Sequence, residues 1–371
     1  MAIWKIDELG EFVTLKRGYD LPQQKRKNGE IPIFSSSGVT GTHNEAMVEA
    51  PGVITGRYGT IGEVFFAETS FWPLNTTLYV ENFHENDEKF VYYFLKTLEW
   101  KKFASASAVP GINRNTVHKE IVRFPDFETQ QKIASVLSTI DKKIAVNKAI
   151  NDNLEQQAAT YFQELFINNA NPMWQTSTIS DLGTVVGGST PSKTKPEYYT
   201  NNGIAWITPK DLSINKSKFI SHGENDITEL GLKNSSATVM PKGTVLFSSR
   251  APIGYIAIAS NEVTTNQGFN SVIPYSEIGT AFVYFFLKHS LPVIENAASG
   301  STFKEISGSA MKNIPAIIPD RNTLDQFNSF CAPIFAQQKI LEEQNHSLAM
   351  LRDSLLPKLM SGAIDIASIQ L

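Results

Sequence analysis

Apolar side chains recur every three and four residues along Gln130 to Phe166, a stretch almost free of helix breakers. They fall at Ile133, Leu137, Ile140 and Ile144, then at Leu154, Ala158, Tyr161 and Leu165. That spacing predicts a heptad seam on one long helix. Asn147 and Asn151 take the two seam positions in its middle. An offset of 194 residues carries the pattern onto Phe327, Cys331, Ile334, Gln338, Leu341, Asn345, Leu348, Arg352, Leu355 and Leu359, and sets Pro125-Asp126 on Pro319-Asp320. Two such helices predict a chain of two like halves. Pairing is expected through Ile133, Leu137, Ile140, Ile144, Asn151 and Leu154 on one helix, and through Phe327, Ile334, Leu341, Asn345, Leu348 and Leu355 on the other. A helix of this length extends about 50 Å at ~1.5 Å per residue. Antiparallel pairing is expected, because parallel pairing would need a longer linker than Ile167 to Pro172 offers. A pseudo-twofold axis would then cross the seams near Asn151 and its copy Asn345, which read equally as a buried pair that fixes register and as residues that are solvated or face a partner helix.

Before each helix lies a block of short strand-like runs bounded by turn residues. In the first block these include Ile31-Pro32-Ile33-Phe34, Gly52 to Thr55, Gly62 to Phe66 and Thr77 to Val80, with Phe90 to Leu95 reading as a buried helix. A polar loop from Ala104 to Arg114 follows. The second block repeats the first: Ile179 to Gly183 matches Ile6 to Gly10, Arg250 to Gly254 matches Arg57 to Gly62, and Phe282 to Leu287 matches Phe90 to Leu95. The offset grows along the block, which predicts an insertion of about twenty residues within Thr190 to Glu229. A repeat this long is a duplicated domain, not a solenoid unit. The expected fold is α+β: two similar domains joined by two long antiparallel coiled-coil helices with internal pseudo-twofold symmetry. Its boundaries fall at 1–128, 129–167, 168–320 and 321–371.

Composition adds mainly exclusions. With 42% hydrophobic and 19% charged residues the chain reads as an ordinary globular protein. One cysteine excludes a disulfide framework and a cysteine-based zinc site. The opening MAIWKIDELGE has no charged leader ahead of an apolar core, so no export signal is expected, and the single cysteine makes a reducing cytoplasm the expected location. No phosphate-loop pattern and no Gly-x-Ser-x-Gly elbow occurs; Ser299-Gly300-Ser301 reads as a flexible loop. The histidines, at 43, 84, 118, 222, 289 and 346, show no metal-ligand spacing, so no metal and no catalytic residue is expected. Asn171-Pro172-Met173 lacks the second proline and the aromatic of an amino-methyltransferase motif and reads as a turn. A net charge of −4 argues mildly against a protein that coats nucleic acid alone, but a local patch can outweigh the sum.

What accumulates is polar, basic and aromatic side chains on corresponding loops of both blocks. In the first these are Lys16, Arg17, Lys25, Arg26, Lys27, Ser36, Thr40, His43, Arg57, Tyr58, Asn75 and Thr76. In the second they are Ser189, Thr190, Lys193, Lys195, Tyr198, Lys210, Ser249, Arg250, Asn266 and Gln267. Arginine pairs bidentately with guanine and Asn or Gln with adenine, while Lys, Ser and Thr hold phosphates, so these are the candidate DNA contacts. Arg57 and Arg250, both beside an Ile-Gly, read equally as backbone pins or as DNA contacts.

Two similar domains, each followed by a long helix, resemble the specificity subunit of type I restriction–modification systems. Arg352-Asp353-Ser354-Leu355-Leu356-Pro357-Lys358-Leu359-Met360-Ser361-Gly362 is similar to the family's C-terminal helix ending. Gly188-Ser189-Thr190-Pro191-Ser192 with Trp206-Ile207-Thr208-Pro209-Lys210-Asp211-Leu212 is similar to the opening of its target-recognition domains. Gly56 to Gly62 and Gln130-Gln131-Lys132-Ile133-Ala134 also fit, with the usual proline displaced to Pro125. The resemblance implies that each domain reads one half of a bipartite DNA sequence, that the helices fix the spacer, and that modification subunits dock on them. It implies S-adenosylmethionine, ATP and magnesium on partner modification and restriction subunits, and no cofactor on this chain. Two rivals remain. A coiled-coil scaffold would show no sequence preference in DNA binding, and an enzyme should share a catalytic set between its duplicated blocks.

Overall fold

The computed structural model describes residues 3–105, 110–300 and 304–366, and divides into two compact units, residues 1–145 with 346–371 and residues 146–345. The division falls within the two long helices, Phe127–Gln163 and Arg321–Met360, so each unit holds one block and a piece of each helix.

In the first unit an antiparallel sheet orders Thr14–Arg17, Thr77–Asn82, Gly52–Gly56 and Val64–Ala67. A smaller sheet joins Gly38–His43, Ile31–Ser35 and Trp72–Pro73, and Trp4–Glu8 pairs with Ile121–Pro125. The stretch from Phe90 to Leu95 lies in the helix Glu88–Lys96, started by Asp87, whose side chain accepts the Phe90 N–H. Its aromatics suit a strand in isolation, but Phe90, Val91, Phe94 and Leu95 fall on one helical face and are buried against the sheet and the long helix. Each such side chain contributes about 1.5–3 kcal/mol through burial.

The second unit repeats this plan with additions. Its main sheet runs Gly183–Gly187, Asn270–Pro274, Val245–Ser249, Ile253–Ala259, then Phe219–Ile220 as a fifth strand. The smaller sheet gains Tyr199–Thr200 beside Asn225–Ile227, Ile204–Ile207 and Thr264–Thr265. The edge strand Phe219–Ile220, Tyr199–Thr200 and the helix Pro209–Ile214 all lie in the segment expected to hold the insertion.

Both long helices start on the same device. Asp126 accepts the Thr129 N–H at 3.0 Å, and Asp320 accepts the Thr323 N–H at 3.1 Å. Each satisfies an N–H that a helix start leaves without an intrahelical partner, and the negative charge suits that end of the helix. The N–H groups of Thr129 and Ile3 outweigh the effect of burial and hold the Asp126 carboxyl below its ordinary range. Gln130 is buried and ties the helix start to the block, donating to Asn86 Oδ1 at 2.7 Å and accepting the Asp87 N–H at 3.0 Å.

Within the first unit Arg352 bonds Asp141; within the second, Asn147 bonds Asn345 and Gln326 bonds Tyr161. Within the second unit the partners on the second helix recede from Asn345 through Gln338 to Gln326 as the first advances from Asn147 through Asn151 to Tyr161, so the two pieces run antiparallel there. Every seam position named above is buried or half-buried. The expected Asn151–Asn345 pair does not form. Asn147 Nδ2 donates to Asn345 Oδ1 at 3.0 Å, while Asn151 exchanges bonds with Gln338, donating to its carbonyl at 3.4 Å and accepting its side-chain N–H at 3.1 Å. The facing positions are offset by one step of the seam. Two residues that are copies of each other therefore do not face each other.

Candidate nucleic-acid interface

In the first unit, strand ends and a short helix converge on a cleft of about 620 Å³ lined by Lys16, Arg17, Arg57, Tyr58, Asn113 and Arg114. Lys16 and Arg17 end the strand Thr14–Arg17, and Arg57 and Tyr58 follow Gly52–Gly56. Thr76 O accepts the N–H of both Arg57 and Tyr58, and Arg57 O accepts the Ile112 N–H at 3.0 Å. The guanidinium is pinned as well: Nε donates to Ile112 O at 3.2 Å, and the group lies over the Tyr58 ring at 4.5 Å from its centre. Tyr58 in turn packs where a side chain at residue 111 would sit, 2.1 Å from a Cβ there, so only Gly111 fits. The two readings of Arg57 are thus compatible, since its backbone and Nε are pins while its outer nitrogens have no hydrogen-bond partner among the described residues.

Arg114, absent from the sequence candidates, opens the helix Arg114–His118 behind the Asn113 cap and donates to Leu15 O at 3.5 Å. Lys16 is paired with Glu81, whose hydrogen bond raises the lysine pKa, and Arg17 lies 3.8 Å from Asp20. Residues 106–109 of the polar loop, and Ser301 of the second, lie outside the described residues.

The other candidates of this unit sit elsewhere. Asn75 bonds Asp20 beside the cleft, while Lys25, Arg26, Lys27, Ser36 and Thr40 lie on the smaller sheet and its loops. Arg26 donates to Thr40 O at 3.4 Å. His43 is a correction: it is 4% exposed, accepts the Lys27 N–H at 3.0 Å and packs edge-on to Trp72, so it shapes the loop from inside and offers no surface to DNA.

In the second unit three loops are stitched together. Ser189 O accepts the Trp206 indole N–H at 3.0 Å, Ser189 N donates to Thr265 O at 2.9 Å, and Asn266 N donates to Ile207 O at 3.0 Å. Thr190 bonds Gln267, and Tyr199 donates to Pro191 O at 2.6 Å. Gly188 is required here, because a Cβ would lie 1.9 Å from Asn266 O. Lys193, Lys195, Lys210 and Gln267 are exposed on this cluster, with Tyr198 half-buried. Three cations here are paired: Lys195 lies 3.8 Å from Glu197, Lys210 2.5 Å from Glu224 and Arg250 3.3 Å from Glu305. Ser249 is a second correction, since it is 1% exposed and its carbonyl accepts the Ile306 N–H.

Among the described residues no three of His, Cys, Asp and Glu gather as a metal site. No helix among them is long and apolar enough to cross a membrane. Cys331 is buried, which pushes its thiol pKa up to about 12 and leaves it unreactive.

Comparison with known proteins matches this duplicated plan. The family model described as the type I restriction modification DNA specificity domain matches residues 1–156 and again 171–345. The type I restriction enzyme MjaIX specificity subunit of Methanocaldococcus jannaschii is 43% identical over 162 residues, 43% of this chain and 37% of that protein. The HindI specificity subunit of Haemophilus influenzae is 24% identical over 347 residues, 72% of this chain and 75% of that one. A crystal structure of a type I restriction-modification S subunit from M. genitalium shares the fold, with a TM-score of 0.65, 17% identity and 96% of each chain covered. The chain belongs to the type I restriction modification DNA specificity domain family.

Proposed function

We propose that each block reads one half of a bipartite DNA sequence while the two long helices, as an antiparallel coiled coil, set the spacer between the halves. The observation that carries this reading is the duplication. The family model matches once in each half, and each match contains a main sheet whose four shared strands follow the same order. The basic cleft of the first block and the stitched loops of the second are the reading surfaces, with the pinned guanidinium of Arg57 preorganised to meet a base edge or a phosphate. The pseudo-twofold relation implied by the repeat would match two half-sites on opposite strands, as two-fold proteins meet two-fold operators.

Modification (methyltransferase) subunits would dock on the helices. Val146 and Ile150 in the second unit, and Met350 and Leu351 in the first, are exposed apolar residues on helix surfaces suited to a protein partner. S-adenosylmethionine would belong to those subunits, and ATP and magnesium to restriction subunits, with this chain binding no cofactor. The complex would work in the cytoplasm. Methylome sequencing of cells with and without the gene tests the proposal. The expected result is loss of one methylated motif made of two short defined halves around a fixed unread spacer. A lost motif that is continuous, or no lost motif, would overturn it.

A further inference from the structure

The edge strand Phe219–Ile220, which the second block has and the first lacks, is preceded by a lysine buried where that block meets the helices. The Lys218 side chain is 6% exposed. Its ammonium pairs with Glu155 of the first long helix and donates to Gln338 Oε1 of the second at 2.6 Å. The Phe335 ring lies 4.1 Å away and the Tyr284 ring 4.8 Å. The backbone is held too, as the N–H groups of Lys218 and Phe219 donate to the two oxygens of Glu342 at 2.8 and 3.0 Å. Glu155 also accepts from Lys288 at 2.6 Å and from the Tyr284 hydroxyl at 3.3 Å, both on the block's helix Thr280–His289. Toward the block, Lys218 O accepts the Ile258 N–H of the main sheet at 2.7 Å.

A buried lysine with this many directional partners is costly to assemble and adds little net stability over a well-packed apolar residue. What it supplies is geometry, because each bond tolerates only a few tenths of an ångström. We infer that Lys218 is a positioning residue that fixes the set of the second block on its helical stalk and so narrows the range of DNA spacers the subunit accepts. The inference rests on the blocks being half-site readers. One added base pair shifts a half-site by ~3.4 Å and turns it by roughly 35°. A firmly set block rejects that change, and a loosely set one follows it.

The test uses the complex with its modification subunits and duplexes carrying the motif with its own spacer, or with one base pair more or fewer. Lys218→Met keeps the stem, removes the charge and leaves Glu155 paired with Lys288. The expected result is a fall of about tenfold in the preference for the native spacer, given that misplacements near 1 Å change rates up to ~100-fold. A rate lowered equally on all three duplexes would mark a purely structural role and overturn the inference. Should the variant fail to assemble, Glu342→Gln, which keeps one acceptor for the paired N–H groups, is expected to shift the preference in the same direction by less. An unchanged preference there would also overturn it. A wild-type complex indifferent to spacer length would instead overturn the half-site reading, and this inference with it.

Discussion

The two blocks share a sheet order and a docking helix but distribute charge differently. In the first, Lys16 and Arg17 face Glu81 and Asp20, but Arg57 and Arg114 line the same cleft with no carboxylate partner among the described residues, whereas in the second Arg250, Lys195 and Lys210 each face a glutamate. The joints to the helices diverge as well. In the first unit the Tyr93 hydroxyl donates to Asp141 at 2.6 Å, and Arg352 donates to the same carboxylate at 2.8 Å. The repeat places Phe285, Phe335 and Ala158 at those three positions, so the same spot in the second unit is aromatic packing, with ring centres 6.1 Å apart. The charge has moved to Glu155 and Lys218, whose network recruits Lys288 and Tyr284. Duplication therefore kept what the backbone demands: strand order, the Asp caps and the apolar face of the docking helix. It left loop and joint side chains free to diverge.

The joints offer the largest contrast. Glu155→Ala strips the counter-charge from buried Lys218 and is expected to cost about 3–5 kcal/mol in denaturant unfolding. Asp141→Ala leaves Arg352, 23% exposed, within reach of water and should cost about 1–3 kcal/mol. Equal losses would erase the distinction between the joints. Acid sharpens it. Burial pushes the Glu155 pKa up, but Lys218 and Lys288 outweigh it and hold the carboxyl below the ordinary glutamate range. Its contribution is therefore whole above the pKa of the unfolded chain and is lost as pH falls through the lower folded value. Glu155→Gln should flatten that acid limb of the stability profile.

A smaller effect separates the reading surfaces. Arg57→Ala should weaken binding of the assembled complex to its duplex by roughly 1–3 kcal/mol, and by anisotropy across salt the slope should fall by about one if the contact is a phosphate. Arg250→Ala should lose less, because the Arg250 guanidinium is already paired with Glu305 and has less charge to offer DNA. Matching losses would mean that both arginines meet DNA alike, against the charge difference described above.

How much of this was legible in the sequence follows from how local each signal is. The seams, the duplication and the Pro-Asp starts are periodic or contiguous patterns, and the helix from Phe90 was readable despite its aromatics. The insertion was found by its length, but its role was hidden, because Lys218 acquires meaning only beside Glu155, Gln338 and Glu342, all far away in the chain. Arg114 was missed for the same reason, since Leu15 and Arg57 bring it to the cleft. His43 and Ser249 read as polar loop residues, yet a polar side chain at a strand end can also turn inward: His43 does so and accepts the Lys27 N–H, whereas the buried Ser249 Oγ has no hydrogen-bond partner among the described residues. No pattern in the sequence distinguishes the two cases.

The asparagines carry the smallest expected effect and the finest test. Asn147 is fully buried, and its Nδ2 serves Asn345, but its own Oδ1 is buried without a hydrogen-bond partner. An unpaired buried acceptor costs about 1–3 kcal/mol, and one hydrogen bond returns about 1. Replacing both residues by leucine should therefore leave unfolding unchanged or raise stability by about 1 kcal/mol, less than any change above. If the pair pins register, as a single polar residue in an apolar seam can, the double variant should methylate duplexes with altered spacers that the wild type rejects. Raised stability with an unaltered spacer would show that the pair is merely tolerated. Register would then rest on the Asn151–Gln338 exchange and on the apolar seam, and the spacer on joints such as the one at Lys218.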